Sequence, residues 1–306
     1  MTTPSSKRTS GPDHGSPVLS GSRRRHFTIE GLTISVDAPP KAIAVLDEDY
    51  AAYTVASPAA AADVRRYRVT SAPPDAARLD VIGPDGVIAE AVNEEQATIA
   101  LLMALSIDIP RALANHGIFA IHGAALVHRG TAVAIVGPSG AGKTTLALDL
   151  VANGLGLLSD ELTLSGPEGA LVLPFRRAVH IRSGTPALIP ALAAVENRPR
   201  RCLPGLREWT LLPTELEEFF PGCHANPAPL RHIVFLSDIH GDRARMEPVS
   251  SGKAAVELAS ASQAAVDHFG PTLARTAALT RGAKVVALKG GTPASRRDVL
   301  LDWLDG

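Results

Sequence analysis

The chain has 306 residues, of which 45% are hydrophobic, so it can bury the core of one large domain together with a smaller one. Its formal net charge of -1 gives no electrostatic reason to expect nucleic acid or an anionic membrane as a partner. Cys202 and Cys223 are its only cysteines, too few for a disulfide framework. No uncharged apolar run reaches 18 residues, so we expect a cytoplasmic protein without a membrane span.

The first 115 residues have the pattern of a tail followed by a small domain. Residues 1–25 are rich in Ser, Gly, Pro and Arg, which favours a disordered tail. From residue 26 to about 89, short apolar stretches alternate with Pro, Gly and Asp turns, as in a set of short strands. Residues 93–115 have apolar side chains at helical spacing, and Pro110 predicts a break or kink. We therefore expect an N-terminal β-rich domain with a connecting helix over 26–115.

From residue 116 to residue 306 the sequence predicts an α/β domain, because apolar strands alternate with helical segments. No period of 20 to 50 residues repeats. The predicted helices are 142–153, 250–262, 265–281 and 293–304. The predicted strands are 123–128, 131–136, 156–163, 171–174, 177–182, 207–212, 231–237, 244–247 and 283–288.

A glycine-rich motif joins one of these strands to a helix. The apolar run 131–136 precedes it and the helical run 146–151 follows it, which is the context that gives such a motif its meaning. Main-chain N–H groups and the helix N-terminus can there surround a phosphate, while Lys143 reaches the β and γ phosphates and Thr144 binds Mg²⁺. A chance glycine-rich turn is the weaker alternative. The predicted nucleotide-binding residues are Gly137, Pro138, Ser139, Gly140, Ala141, Gly142, Lys143, Thr144 and Thr145.

Two acids follow soon after this motif. Asp160 and Glu161 end an apolar strand, and strand ends at one edge of a parallel sheet share a site. Adjacent strand residues point to opposite faces, so both can serve only if the chain bends there. One acid could then bind Mg²⁺ while the other accepts a proton from an attacking hydroxyl. An ordinary acidic turn is the alternative interpretation.

His122 is the third predicted element of the site. If Arg129 and Gly130 form a two-residue hairpin turn, counting back places His122 opposite Gly137. An imidazole would then lie beside the γ-phosphate. A histidine with a structural role is an equally good interpretation of this position.

Together, the run His122-Gly123-Ala124-Ala125, the loop through Thr145 and the run Leu158-Ser159-Asp160-Glu161 resemble the catalytic domain of the HPr kinase/phosphorylase family. The resemblance is specific over about residues 117–184. It implies a P-loop kinase domain of HPr kinase or phosphoenolpyruvate carboxykinase type, using ATP and Mg²⁺. It implies phosphoryl transfer to a serine-type hydroxyl of a peptide or small carrier protein, and it makes a homo-oligomer a hypothesis. Asp160 takes the position of the proton-accepting aspartate, and Glu161 that of its metal-associated neighbour.

The chain also departs from that family. A glutamate, Glu161, stands where the family has its second aspartate. The later Glu-x-Arg-Gly signature is matched only by the run from His180 to Gly184, which keeps Arg182 and loses the acid. This loss argues against the reverse, phosphorylase reaction. Arg182 can stabilise the transferred phosphate, since a guanidinium suits that charge, or it can be a solvated strand end.

Other nucleotide-binding classes fit less well. An ABC-type ATPase needs a Leu-Ser-Gly-Gly-Gln-like signature and a GTPase needs an Asn-Lys-x-Asp-like motif, and the sequence has neither. Two alternatives remain: a kinase for a small-molecule hydroxyl, and a nucleotide-sensing scaffold without catalysis.

Overall fold

The first part of the chain forms a six-stranded sheet. The structure, a computed structural model, describes residues 19, 21–59, 63–71, 78–167, 169–198, 208–237, 241–266 and 268–306. The strands are β1 (Arg23–Ile29), β2 (Leu32–Ala38), β3 (Thr54–Val55), β4 (Asp63–Ser71), β5 (Leu79–Gly83) and β6 (Gly86–Ala91). They lie in the order β3-β1-β2-β4-β5-β6, and only β2 and β4 are parallel neighbours. The β1–β2 hairpin turns at Glu30 and Gly31, both at positive φ, as a two-residue turn of this hand requires.

Two helices pack against this sheet. Helix α1 (Pro40–Asp49), which the sequence analysis missed, begins with proline in the first turn, where no main-chain N–H is needed. Helix α2 (Glu94–Asn115) begins at Asn93, whose side chain accepts a hydrogen bond from the Gln96 N–H. Of the break or kink predicted at Pro110, the break does not occur, because α2 continues through this residue to Asn115. Burial of residues on both sides of Pro110 outweighs the one hydrogen bond that proline removes.

Helix α2 is also long and apolar enough, by length and composition alone, to cross a membrane. Its most apolar 18-residue window has a mean hydropathy of 1.6, and 44% of that window is buried inside the protein. Its buried residues belong to one hydrophobic cluster with the six-stranded sheet. A core helix passes the same test, so this helix is weak evidence for a membrane span.

The second part of the chain forms an eight-stranded sheet. Its strands are β7 (Phe119–His128), β8 (Thr131–Val136), β9 (Gly156–Ser159), β10 (Leu162–Ser165), β11 (Leu171–Leu173), β14 (Ala228–Leu236), β15 (Arg245–Pro248) and β16 (Lys284–Lys289). The order is β11-β10-β7-β8-β14-β16-β15, and β9 also pairs with β7. Strand β8 runs parallel to β14, and β14 parallel to β16. Because β7 is antiparallel to both β8 and β9, the carboxyl ends of β8 and β9 lie at the same edge.

Helices cover both faces of this sheet, as the α/β pattern predicts. They are α3 (Lys143–Ala152), α5 (Ser251–Ser260), α6 (Phe269–Arg281) and α7 (Pro293–Asp305). Val133 and Ile135 of β8 pack in one hydrophobic cluster with α3 and α7. Ala132 and Ala134 pack in another with α5 and α6. This alternation is the two-residue period of a strand buried on both faces.

A small two-stranded sheet lies beside these layers. It pairs β12 (Val179–Arg182) with β13 (Glu208–Leu211), and β13 is followed by helix α4 (Pro213–Phe219), which was not predicted. A 3₁₀ segment, Pro190–Asn197, lies between β12 and β13. The sequence pattern missed α4 because seven residues are too few to display a helical period.

One hydrophobic cluster joins the two sheets. It contains core residues of β1, β2 and α2 together with Leu162 and Leu164 of β10 and with Phe175. The division at residues 115 and 116 therefore stays a prediction, although the topology does change after α2. The expected tail, 1–25, lies mostly outside the described residues. Its last part was placed wrongly, because β1 begins at Arg23 and pairs with β2.

Candidate functional site

The glycine-rich loop connects β8 directly to α3. Gly142 precedes the helix with φ of 88°, a left-handed conformation that disfavours any residue with a Cβ. A Cβ on Gly137 would lie 2.8 Å from the Leu236 carbonyl oxygen of β14, so this position needs glycine for close packing of main chains. The loop is therefore shaped by its glycines at both ends.

Lys143 begins α3 and is buried against the loop. Its ammonium donates hydrogen bonds to the main-chain carbonyls of Gly137 (2.8 Å) and Pro138 (3.1 Å). Burial lowers the pKa of Lys143, and the nearby carboxyl of Asp160 acts in the opposite direction. The ammonium of the predicted phosphate-binding lysine thus lies against the glycine-rich loop and near the carboxyl of Asp160.

The chain bends between β9 and β10, as joint use of both acids required. The predicted single strand 156–163 is wrong, because these two strands are separated at Asp160 and Glu161. The Ser159 hydroxyl accepts hydrogen bonds from the N–H groups of Glu161 (3.2 Å) and Leu162 (3.1 Å), which stabilises the bend. Both acids consequently line one cavity of about 590 Å³ together with Lys143.

Asp160 is the acid in direct contact with the loop helix. Its Oδ2 accepts a hydrogen bond from the Thr144 hydroxyl (3.1 Å), and its Oδ1 is buried with no hydrogen-bond partner in the described structure. Burial raises the pKa of Asp160 to about 6, more than the Thr144 hydrogen bond and Lys143 lower it. A buried carboxylate oxygen without a partner is costly unless a proton or cation binds it. Asp160 and Thr144 therefore fit the oxygen set of a magnesium site.

An arginine whose side chain is 12% exposed connects Glu161 to the first helix. Arg177 donates hydrogen bonds to Glu161 and to Oδ2 of Asp49 (2.6 Å), at the end of α1. Its guanidinium carbon lies 4.6 Å from the centre of the Tyr50 ring. His180 of β12 forms an ion pair with the other oxygen of Asp49 (3.2 Å). We call Asp49, Glu161, Arg177 and His180 the acid–base cluster.

Charge compensation governs protonation in the acid–base cluster. Burial opposes ionisation of Asp49, but its bonds to His180 and the Arg177 charge outweigh burial and lower its pKa. Burial likewise opposes protonation of His180, and Asp49 reverses this so that the pKa of His180 is raised. Neither Asp49 nor Arg177 was predicted as a site residue. The sequence signal for Asp49 is weak: its negative charge lies at the C-terminus of a helix, where the helix dipole disfavours it.

His122 lies in the wall of the same cavity, exposed to it. The predicted hairpin register is confirmed, with His128 paired to Thr131 and Gly123 to Val136, so His122 lies beside the start of the loop. Partial removal of water and the Lys143 charge lower the pKa of His122. Its ring is therefore biased toward the neutral form.

The remaining predicted residues surround this cavity. Arg182, exposed at the end of β12, lines it together with Ser139, Gly140, Gly142, Thr144 and Thr145. The hydroxyl oxygens of Thr145 and Thr185 are 3.1 Å apart, which joins α3 to the segment after β12. Pro138 and Ala141 belong to the loop, and their nucleotide contacts stay predictions, as does the role of Arg182.

A buried arginine, Arg296 of α7, contacts the loop from the side of that helix. It donates hydrogen bonds to the carbonyls of Ala141 (2.9 Å), Ser237 (2.7 Å) and Gly290 (2.7 Å). These carbonyls belong to the loop and to the segments that follow β14 and β16. Arg296 was not predicted, because nothing local in the sequence distinguishes it from its neighbour Arg297.

Comparison with known proteins gives limited similarity. No protein-family model matches the sequence. A stretch of 81 residues is 41% identical to the thiamine import ATP-binding protein ThiQ of Escherichia coli (strain K12), and equally to that of Shigella flexneri. The stretch covers 26% of this chain and 34% of those proteins. The chain thus matches about a third of the length of these curated relatives.

Among solved structures, the HPr(Ser) kinase/phosphatase from Coxiella burnetii is similar at 12% identity and a TM-score of 0.27. The similarity covers 61% of this chain and 99% of that one. Values this low establish neither the family nor a detailed common fold. The structure itself shows a mixed α/β protein in which a glycine-rich loop, a lysine and two acids line one cavity.

Proposed function

We propose that this protein binds ATP with Mg²⁺ and transfers the γ-phosphate to a serine-type hydroxyl of a peptide or small carrier protein in the cytoplasm. The observation that carries the proposal is the contact between Thr144 and Asp160 beside Lys143. It joins the first turn of the loop helix to a carboxylate with one unpaired buried oxygen. The curated relatives are named for ATP binding, which supports the nucleotide part of the proposal.

Each residue has a role that follows from its position. The main-chain N–H groups of the loop and the start of α3 bind phosphate, and Lys143 neutralises its outer oxygens. Thr144, Asp160 and Glu161 hold Mg²⁺, which when bound neutralises charge on the β and γ phosphates. Arg182 at the cavity wall stabilises the phosphate in transfer.

Proton transfer is assigned to Asp160. Asp160 lines the cavity, and its Oδ1 has no hydrogen-bond partner in the described structure, so this oxygen can accept the proton while Oδ2, beside Thr144, binds the cation. The acceptor hydroxyl gives its proton to Asp160 while its oxygen forms a bond to the γ-phosphorus and the bond to the β-phosphate oxygen breaks. His122, biased toward neutrality, contacts the phosphate or the acceptor as a hydrogen-bond donor from the cavity wall.

The proposal is tested by incubating labelled ATP with the protein and the products of its neighbouring genes. We expect labelled peptide or carrier protein with the wild type, and at least about a hundredfold slower transfer with Lys143→Ala or Asp160→Asn. Matched controls are Lys253→Ala on α5 and Asp298→Asn on α7, both exposed, which should transfer normally. Transfer that survives Lys143→Ala or Asp160→Asn contradicts the assigned roles.

The same assay separates the alternatives. Label on a small hydroxyl compound, and none on protein, identifies a small-molecule kinase. Binding of ATP without any transfer, at high protein concentration and with a true partner present, identifies a nucleotide-sensing scaffold.

A further inference from the structure

The acidic side of the cavity depends on a residue from the first helix. Asp49 ends α1, more than a hundred positions before Glu161 in the sequence, and its side chain is only 5% exposed. It shares Arg177 with Glu161, so a single guanidinium is divided between two carboxylates. The charge that Glu161 experiences is therefore set partly by Asp49.

The segment that carries Arg177 is attached to the N-terminal part of the chain by contacts that do not involve the Asp49 side chain. The Ala178 N–H donates to the Asp49 main-chain carbonyl (3.2 Å). The Arg176 N–H donates to the Tyr53 hydroxyl (2.7 Å), and the rings of Tyr53 and Phe175 lie 5.7 Å apart. A change confined to the Asp49 carboxylate therefore leaves these attachments in place.

We propose that Asp49 is a positioning residue of the divalent-cation site, whose carboxylate balances Arg177 so that Glu161 and Asp160 keep enough negative charge to hold the cation. The inference rests on the proposed function, since it assigns the cation of ATP to this side of the cavity. It also gives the N-terminal sheet and α1 a part in the site, because α1 supplies the balancing charge.

The sign of the effect follows from charge alone. At a pH high enough for His180 to be neutral in both proteins, Asp49→Asn removes one negative charge and leaves Arg177 shared with Glu161. Glu161 is then held more tightly by the arginine, and the site becomes more positive. Binding of a divalent cation should weaken on the order of tenfold, as expected for a unit charge at this range in a partly buried site. Binding of the anionic nucleotide alone should stay the same or tighten. Simple loss of structure would weaken both.

The test measures binding, with no need for an acceptor. Calorimetry first measures the binding of ADP to the full-length protein in EDTA. In a separate titration without EDTA, MgCl₂ is added at saturating ADP. Both titrations compare the wild type with Asp49→Asn. We expect a half-saturating Mg²⁺ concentration raised about tenfold, with ADP affinity in EDTA equal or higher. The matched control is Asp47→Asn on the same helix, whose carboxylate pairs with Arg25 at the surface and should change neither value.

A double variant keeps the test decisive if Asp49→Asn does not fold. Removing both partners of a buried pair costs less than removing one, so Asp49→Asn with Arg177→Gln should fold more readily. We expect its half-saturating Mg²⁺ concentration to return to within about threefold of the wild type. An unchanged Mg²⁺ requirement in Asp49→Asn, or no recovery in the double variant, overturns the inference. Failure of the wild type to bind ADP counts against the proposed function instead.

Discussion

Two arginines support the cavity in different ways: Arg177 lines it, and Arg296 contacts the glycine-rich loop. Arg296 donates to three main-chain carbonyls, one in the glycine-rich loop and one after each of two central strands. Arg177 is held by two carboxylates and an aromatic ring. The first arrangement fixes the course of the backbone, whereas the second fixes a balance of charge.

Because of this difference, Arg296 chiefly determines the shape of the site and Arg177 chiefly determines its charge. A main-chain carbonyl cannot lose its role by titration or by substitution of its own residue, so the loop side depends chiefly on Arg296 itself. The carboxylates beside Arg177 are each replaceable, and each replacement changes the charge that a bound ion meets. We therefore expect changes on the loop side to alter stability and nucleotide affinity together, and changes on the acidic side to separate the two.

The largest effect is expected from Arg296→Met. Three carbonyls lose a buried donor, which should lower the free energy of unfolding by about 3 kcal/mol and Tm by at least about 5 °C. ADP affinity in EDTA should fall with it, because the Ala141 carbonyl is part of the loop. Thermal melting and calorimetry check both values.

Arg245 on β15 offers a control at the protein surface. It is exposed and pairs with Glu247, so Arg245→Met should change Tm by no more than about 2 °C and leave ADP affinity unchanged. If Arg296→Met melts like the wild type, the backbone role given to this arginine is wrong.

A smaller effect, of opposite sign, is expected from Asp160→Asn. The pKa of Asp160 is raised from 3.8 to about 6, so its proton binds the folded protein more tightly than the unfolded chain. Its contribution to stability is present in full below pH 4 and is lost as the pH rises through 6. Asparagine has no such loss, so the variant should melt about 2 °C higher than the wild type at pH 7.5.

Measuring Tm at several pH values checks this sign. The gain should shrink at pH 5, where Asp160 of the folded wild type is protonated. The exposed control, Asp298→Asn, should show no gain at either pH. A variant that melts lower than the wild type at pH 7.5 would contradict this prediction. It would mean that the charges on the acidic side of the cavity stabilise Asp160 as a carboxylate.

The two sides of the cavity also differ in how far the sequence predicted them. The loop, its lysine and the two acids occupy about 25 consecutive residues, so strand and helix patterns place them at one edge of the sheet. The hairpin at Arg129 and Gly130 fixed the position of His122 by counting along two strands, and the observed register agrees. Local sequence patterns are enough to predict a site when its residues are close together in the sequence or are joined by a hairpin.

Asp49, Arg177 and Arg296 could not be predicted in this way. Asp49 reaches the cavity only because α1 packs beside the segment after β11, and Arg296 only because α7 packs against α3. A buried charge becomes recognisable only with its partners, and those partners are distant in sequence. Of the break or kink expected at Pro110, the break is absent for a related reason, since packing along α2 outweighs the local propensity of proline.

The smallest effect tests how the segment that carries Arg177 is attached. The Tyr53 hydroxyl accepts a hydrogen bond from the Arg176 N–H (2.7 Å), and burial raises the pKa of Tyr53 to about 12. Tyr53→Phe removes this acceptor while keeping the ring against Phe175, so it should lower the free energy of unfolding by about 1 kcal/mol. Urea denaturation measures the loss. The Mg²⁺ requirement should not change, because the Asp49 carboxylate and Arg177 remain; a raised requirement would mean that the position of this segment, and not only its charge, controls the cation site.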